Sequence, residues 1–482
     1  MYPRKQTFFV LGLSKSGKAA TEFLLSHGAI TYVYDDSVSE RVEQVAQALE
    51  KKGAKRVSKA DLPKMSELCD VLVLSPGIPI DHPIAVNFKR CRRAVVGETE
   101  LAARYMRCPI IAVTGTNGKT TTVSMLAETL QKGGYTAHAC GNIGTPMVEF
   151  CSMMEEEIAV AEISSFQMET LNSLHPHIAV VLNVTEDHLN RHYNMENYIF
   201  LKAKLLKNLT EAEYAILNFD DPIVRSFSEK TKANILYFSV KERVRGAFYE
   251  NGNMYFGKER IMSVSQLPTG GLHNVQNALA VIVAAKIMGI KTEEIVAALS
   301  SFKGIKHRIE TVDEVNGVRF IDDSKGTNVD ATLRAVETMN ADTVLLLGGK
   351  DKGYDYAKLF SALPKSKVVH AVLYGENRYA LLKSARMCRY DKITVCDTFA
   401  FAVKIAAMKA EKGQTVLLSP ASASFDEFSN YEERGDKFVE IVHSLSVTPS
   451  NEKENGEYGI FHSDAGLEQG EQHADRLEEE ME

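Results

Sequence analysis

The stretch Gly115-Thr116-Asn117-Gly118-Lys119-Thr120-Thr121 has the residue types that hold the phosphates of a nucleotide. Glycines let backbone N–H groups come close to phosphate oxygens. A lysine can reach the β and γ oxygens, and a threonine hydroxyl can sit on Mg2+. The spacing is short, however. A standard phosphate loop has four residues between its glycines, but here Val113 stands where the first belongs and the nearest upstream glycine is Gly115. The same residues could form only a tight strand-to-helix turn with a solvated lysine. Two acidic positions downstream favour the nucleotide: Glu162 in IAVAEISSFQ, and Asp187 with His188 in VLNVTEDHL. An acid at the end of a neighbouring strand is what a metal-bound nucleotide requires. No Asn-Lys-x-Asp turn is present to read guanine.

A second glycine loop lies near the start, VLGLSKSGKAA. It approximates a dinucleotide fingerprint, with Asp35 and Asp36 about twenty residues on, where a ribose would be held. Ser14 replaces the middle glycine, whose absent side chain lets the backbone approach a pyrophosphate. A nucleotide-sugar diphosphate therefore fits this loop as well as NAD does.

These loops need strands before them and helices after them. Apolar runs at 7–12, 31–36 and 71–74 predict strands around a helix ending at Gly28. Residues 109–113 predict the strand that feeds the phosphate loop. Val123, Leu126 and Leu130 share one face of the helix that follows, and Gly133-Gly134 stop it. Further strands are expected at 158–163, 178–184 and 214–218, then helices at 274–289 and 293–302. A pair of strands around Asn316-Gly317 and strands at 344–349, 368–375 and 415–419 complete the pattern. Strand–helix alternation of this kind marks α/β domains with parallel sheets.

The chain has 482 residues, 45% hydrophobic and 25% charged. At roughly 150 residues per domain, that length suggests about three domains. No run approaches the ~20 apolar residues of a membrane span, and the apolar run near the N-terminus is short for a signal peptide. A soluble cytoplasmic chain is expected. The seven cysteines are scattered with no C-x-x-C pair, so neither a disulfide framework nor a zinc site is indicated, and buried free thiols are expected. The net charge is −7, but eleven acids and two bases lie from Asn451 onward, leaving the rest close to neutral. Nucleic acid is a poor partner for such a surface. The acidic tail from about 448 is expected to be disordered.

Taken in order, GTNGKTTT, GNIG (141–144), EISSFQ (162–167), NVTEDHL (183–189), HNVQNALA (273–280), HR (307–308), DDSKGTN (322–328) and SPASASFDEF (419–428) resemble the Mur ligase family over about residues 5–445. The shortened phosphate loop is that family's own form. The resemblance implies three domains: a Rossmann-like UDP-sugar domain (1–98), a central P-loop ATPase-type parallel-sheet domain (99–305) and a Rossmann-like amino-acid domain (306–447), followed by the tail (448–482). TGTNGKT alone would also suit folylpolyglutamate synthase; GLSKSG and SPASASFDEF select the branch that adds D-glutamate.

The resemblance further implies an ATP-dependent amide bond between the alanyl carboxylate of UDP-MurNAc-L-alanine and D-glutamate, made through an acyl phosphate in peptidoglycan precursor synthesis. ATP would be held by Gly115, Thr116, Asn117, Gly118, Lys119, Thr120 and Thr121, with Asn274, Asn277, His307, Arg308, Asp323 and Lys325. Thr120 would hold one Mg2+, and Glu162 with His188 a second. Lys119, Glu162 and His188 would be catalytic. Lys202 stands in the register of a lysine that the family carbamylates, although 202, 204 and 207 alone read as an ordinary helix face. Gly12, Ser14, Lys15, Asp35, Asp36 and Asn142 would serve the UDP substrate. D-glutamate would meet Thr327, Lys352, Ser424 and Tyr431, with Lys350 a rival to Lys352. A monomer is implied. Two other classes stay open on the residues alone: an NAD oxidoreductase built on 7–36, and a slow nucleotide-hydrolysing switch.

Overall fold

The computed structural model describes residues 6–37, 39–268, 270–351, 353 and 355–447. Three sheets follow one another along the chain. In the first, five parallel strands lie in the order Lys55–Arg56, Ile30–Tyr34, Thr7–Leu11, Val71–Leu74, Ala94–Gly97. TFFVL and VLVL are buried almost throughout, as strands covered on both faces must be. The strand order reverses between Thr7–Leu11 and Val71–Leu74, which opens a crevice at their carboxyl ends. Gly12 and Ser75 lie there, with Ser75 Oγ donating to the Gly12 carbonyl at 2.9 Å.

The second sheet has nine strands. The strand Ile110–Thr114 lies inside it, flanked by Ile158–Glu162 and Ile178–Val181, all parallel. Its helix, Lys119–Lys132, packs on Leu272–Ile287 and Thr292–Ser301. Leu272–Ile287 is apolar nearly all round and is correspondingly buried. One end of this sheet was not anticipated. Gly246–Glu250, Asn253–Phe256 and Glu259–Ser263 form an antiparallel edge of mixed polarity. Its first turn, Asn251-Gly252 (φ 47° and 77°), nevertheless carries the usual two-residue hairpin signal.

The third sheet runs Glu310–Val315, Val318–Asp322, Thr415–Leu418, Thr343–Gly348, Val368–Tyr374, Ile393–Val395. Only the first pair is antiparallel, turning at Asn316-Gly317 with φ 53° and 79°. The expected α/β class with parallel sheets is therefore what forms. Among the described residues no helix is long and apolar enough to cross a membrane. The cysteines are unpaired; Cys69, Cys108, Cys140 and Cys396 are buried, but Cys91 is exposed.

Candidate active site

A cleft of about 520 Å³ opens where the phosphate loop meets the third sheet. Gly118, at φ 88°, turns the chain from Ile110–Thr114 into its helix, and a β-carbon there would stand 2.5 Å from Asn277 Oδ1. Only glycine suits both demands. The first N–H groups of the helix have no partners within the helix and face the cleft, as a phosphate-binding terminus does. Asn183 braces the loop, its Oδ1 accepting from Asn117 N at 2.8 Å and its Nδ2 donating to Asn117 O at 3.0 Å.

Lys119 Nζ donates to the carbonyls of Gly115 and Thr116, both at 2.8 Å. Burial lowers its pKa, against the pull of Glu162 and Asp187. Lys202 is 1% exposed and donates to the same Gly115 carbonyl at 2.9 Å, with its ammonium 4.6 Å from the Tyr198 ring centroid. Burial first, and then the neighbouring Lys119 charge, hold its pKa well below the usual lysine range. Tyr198 in turn bonds Thr116 Oγ1 at 3.1 Å.

Glu162 ends the strand beside Ile110–Thr114, paired with Val113. Asn142 Nδ2 donates to its Oε1 at 2.7 Å, whereas its Oε2 is buried without a hydrogen-bond donor among the described residues. A buried anionic oxygen without a donor is the environment a hard cation fits. His188, in a left-handed backbone at φ 55°, lines the same cleft, its ring 4.7 Å from that of Phe166. Thr120 lines it too.

The third sheet supplies the facing wall. Arg308 is flanked by two left-handed residues, His307 (φ 63°) and Ile309 (φ 47°). For a β-branched residue this is strained backbone, and it aims Arg308 Nη1 at Thr121 Oγ1, 3.2 Å away. Lys325 Nζ donates to Tyr431 Oη at 3.1 Å, and burial lowers its pKa to about 8. Thr327, Ser424 and Tyr431 line the cleft. Asp323, buried and accepting from Ser419 Oγ at 2.7 Å, has its pKa pushed up to about 7 by desolvation.

Some residues singled out in the sequence lie elsewhere. His307 is not among the residues that line the cleft: its Nδ1 is 2.7 Å from Asp322 Oδ2, and its ring is packed against Gly435. Asn274 and Asn277 meet each other at 3.3 Å behind Gly118. Lys352 lies outside the described residues, and Lys350 pairs with Glu376. Gly12, Ser14, Asp35 and Asp36 stay on the first sheet. Asp35 accepts from Leu13 N at 2.6 Å and Ser37 N at 2.8 Å, shaping the glycine loop. A cavity of about 790 Å³ beside it is lined by Leu13, Tyr34, Asp35 and Asp36. Lys15 reaches across to the second sheet, donating to the Gly144 carbonyl.

The sequence reading overlooked Asn183, Asp330 and Arg434. Asp330 Oδ2 accepts from Asn117 Nδ2 at 2.8 Å and Thr185 Oγ1 at 3.3 Å, tying the phosphate loop to the third sheet's first helix. Arg434, fully buried, donates to the carbonyls of Ser324, Ser422 and Ala423 and to Ser324 Oγ. Asn183 lies in the quoted NVTEDHL; nothing local marks the other two.

Comparison with known proteins fits this arrangement. The Mur ligase middle domain matches residues 113–285, and the Mur ligase, glutamate ligase domain matches residues 307–422. The UDP-N-acetylmuramoylalanine–D-glutamate ligase of Thermoanaerobacter sp. (strain X514) is 39% identical over 448 residues, covering 90% of this chain and 98% of its own. The chain belongs to the Mur ligase family. The enzyme of the same name from Streptococcus mutans is 38% identical, covering 90% of this chain and 96% of its own. Among solved structures, the UDP-N-acetylmuramate–alanine ligase of Thermotoga maritima superposes with a TM-score of 0.60 at 19% identity, covering 91% of this chain and 99% of that chain. A second Mur ligase from that organism, solved in complex with ADP, gives 0.58 at 17% identity, covering 92% of this chain and 95% of that chain. As a Mur ligase, the chain is an ATP-dependent, amide-forming enzyme. Its three-sheet architecture is that of these solved relatives.

Proposed function

We propose that this Mur ligase joins D-glutamate to UDP-N-acetylmuramoyl-L-alanine in the cytoplasm, as a monomer, in peptidoglycan precursor synthesis. The observation that carries this reading is the convergence of half-buried Lys119, Arg308 and Lys325 around one cleft with Glu162 on its wall. Two anions that repel each other, a carboxylate and ATP, need such cations to be brought together.

A carboxylate oxygen of the alanyl group attacks the γ-phosphorus as the bond to the ADP oxygen breaks, giving an acyl phosphate. The D-glutamate amine then attacks the acyl carbon. The tetrahedral intermediate loses a proton from nitrogen and expels phosphate, leaving the amide. Lys119 and the loop N–H groups hold the phosphates, and Arg308 neutralises charge from the opposite wall. Thr327, Ser424 and Tyr431, with Lys352 outside the described residues, take the carboxylates of D-glutamate. Thr120, and Glu162 with His188, would hold two Mg2+ ions; bound metal supplies charge neutralisation on phosphoryl and carboxylate oxygens. The remaining assignments belong to the same reading: Asn274, Asn277, His307 and Asp323 on the nucleotide side, and Gly12, Ser14, Lys15, Asp35, Asp36 and Asn142 on the UDP substrate.

Lys202 belongs to this reading as a carbamate. Its buried, weakly basic amine can add to CO2, forming an N–C bond and releasing one proton to solvent. Lys202→Ala is expected to lose most turnover, and labelled bicarbonate should give a carbamate carbonyl resonance in the wild type alone. A fully active variant would remove Lys202 from the chemistry.

Phosphate release measured with UDP-N-acetylmuramoyl-L-alanine, ATP and a panel of amino acids tests the whole. D-glutamate alone should support turnover. Equal use of L-glutamate would overturn the assignment.

A further inference from the structure

Arg191 lies outside the chemistry just described, yet it joins two sheets. It sits in the short helix Leu189–His192, directly after His188, whose carbonyl accepts from Arg191 N at 2.9 Å. Its guanidinium is held from below by Glu169, at 2.8 Å through Nε and 2.6 Å through Nη2. Phe166 lies against its face, 5.2 Å from the ring centroid, and the same ring touches His188. From that fixed position its amines donate to three successive carbonyls of the first sheet: Pro76 (3.4 Å), Gly77 (3.3 Å) and Ile78 (2.8 Å).

That turn is part of the crevice wall. Ile78 Cδ1 and Ser75 would each lie 2.8 Å from a β-carbon on Gly12. On the other side, Glu169 also faces His192 Nδ1 at 3.5 Å, and His192 rests on Tyr198, beneath Lys202. A small cavity of about 10 Å³ lies between residues 74–78 and 166–170.

We propose that Arg191 is a positioning residue: a strut that fixes the distance between the nucleotide-diphosphate crevice and the acyl-transfer cleft, so that anchoring the uridyl end places the alanyl carboxylate at the phosphate loop. The proposal rests on the substrate named above. Its chemistry follows from the fork geometry of arginine, which can hold a carboxylate with one edge and carbonyls with the other. A lysine offers a single point charge and cannot do both.

The test compares two acyl substrates in the full chain: UDP-N-acetylmuramoyl-L-alanine and N-acetylmuramoyl-L-alanine, which has no uridyl anchor. In the wild type the anchor should raise kcat/KM strongly. In Arg191→Ala and in Arg191→Lys that advantage should shrink by about 100-fold, the size of effect that a displacement of about 1 Å has. The loss should appear in kcat with the UDP substrate, while turnover of the truncated substrate stays within about 2-fold of wild type. The truncated substrate thereby also reports whether each variant is folded. Glu169→Gln, which keeps the side chain's shape, should give a smaller loss of the same pattern. Equal losses on both substrates, or no loss on either, would overturn the strut. A wild type unable to use D-glutamate with the UDP substrate would overturn the functional reading and the strut with it, a result distinct from the other two.

Discussion

At Gly118 two constraints coincide, a left-handed backbone and a β-carbon position 2.5 Å from Asn277 Oδ1. Gly118→Ala therefore has to pay about 1–2 kcal/mol in backbone strain and displace a neighbour as well. ATP-dependent turnover should fall at least about 10-fold, with weaker ADP binding by calorimetry and a lower melting temperature. Lys325 gives a second prediction. Burial brings its pKa down to about 8, so it is charged below that pH and loses its charge as the pH rises through it. If that charge draws in the anionic substrates, kcat/KM for D-glutamate should decline above pH 8. Lys325→Arg, still charged there, should move the decline upward; an unchanged profile would take Lys325 out of the binding step. The residues legible in the sequence are those whose chemistry is local: the loop, Glu162 after its strand, and His188 beside Asp187. Asp330 was not legible because its partner Asn117 lies 213 positions away. His307 shows the converse, since a motif position did not reveal that its ring is engaged by Asp322.

Among the elements, long apolar runs and hairpin glycines announced most of the strands, because burial on both faces of a parallel sheet leaves a continuous hydrophobic signal. Lys55–Arg56 and Ile393–Val395 did not show themselves, being two- and three-residue edge strands without that burial. Helix Glu98–Tyr105 adds a prediction about stability. Glu98 is buried, accepts from Val148 N at 2.8 Å, and has its pKa raised to about 7, chiefly by desolvation. Between about pH 4.5 and 7 the folded chain keeps a proton there that the unfolded chain has released. Its contribution to stability is thus complete below pH 4.5 and is lost as the pH rises through 7, by at most about 3 kcal/mol. Glu98→Gln should flatten the melting temperature over that range and raise it at pH 8.

At the scale of the whole molecule, polar contacts among the described residues join the central and third sheets. Asn117 reaches Asp330, Asp187 reaches Asn328 Nδ2 at 3.1 Å, and Arg308 reaches Thr121. Asp330→Ala removes the acceptor shared by Asn117 and Thr185. Small-angle scattering should show a larger radius of gyration for the variant alone, with compaction restored by an ATP analogue together with the UDP substrate. An unchanged radius would mean that the latch carries little of the closure.

Lys119 of the central sheet and Arg308 and Lys325 of the third line one cleft at the boundary between them. Without ligand they repel one another across that boundary. Any multivalent oxyanion that enters acts as a counterion shared by both halves, and stabilises an arrangement that holds them together. The resting shape of the molecule is then a property of its solution as well as of its sequence: sulfate or phosphate buffer should draw the halves together, and chloride at equal ionic strength should do so far less.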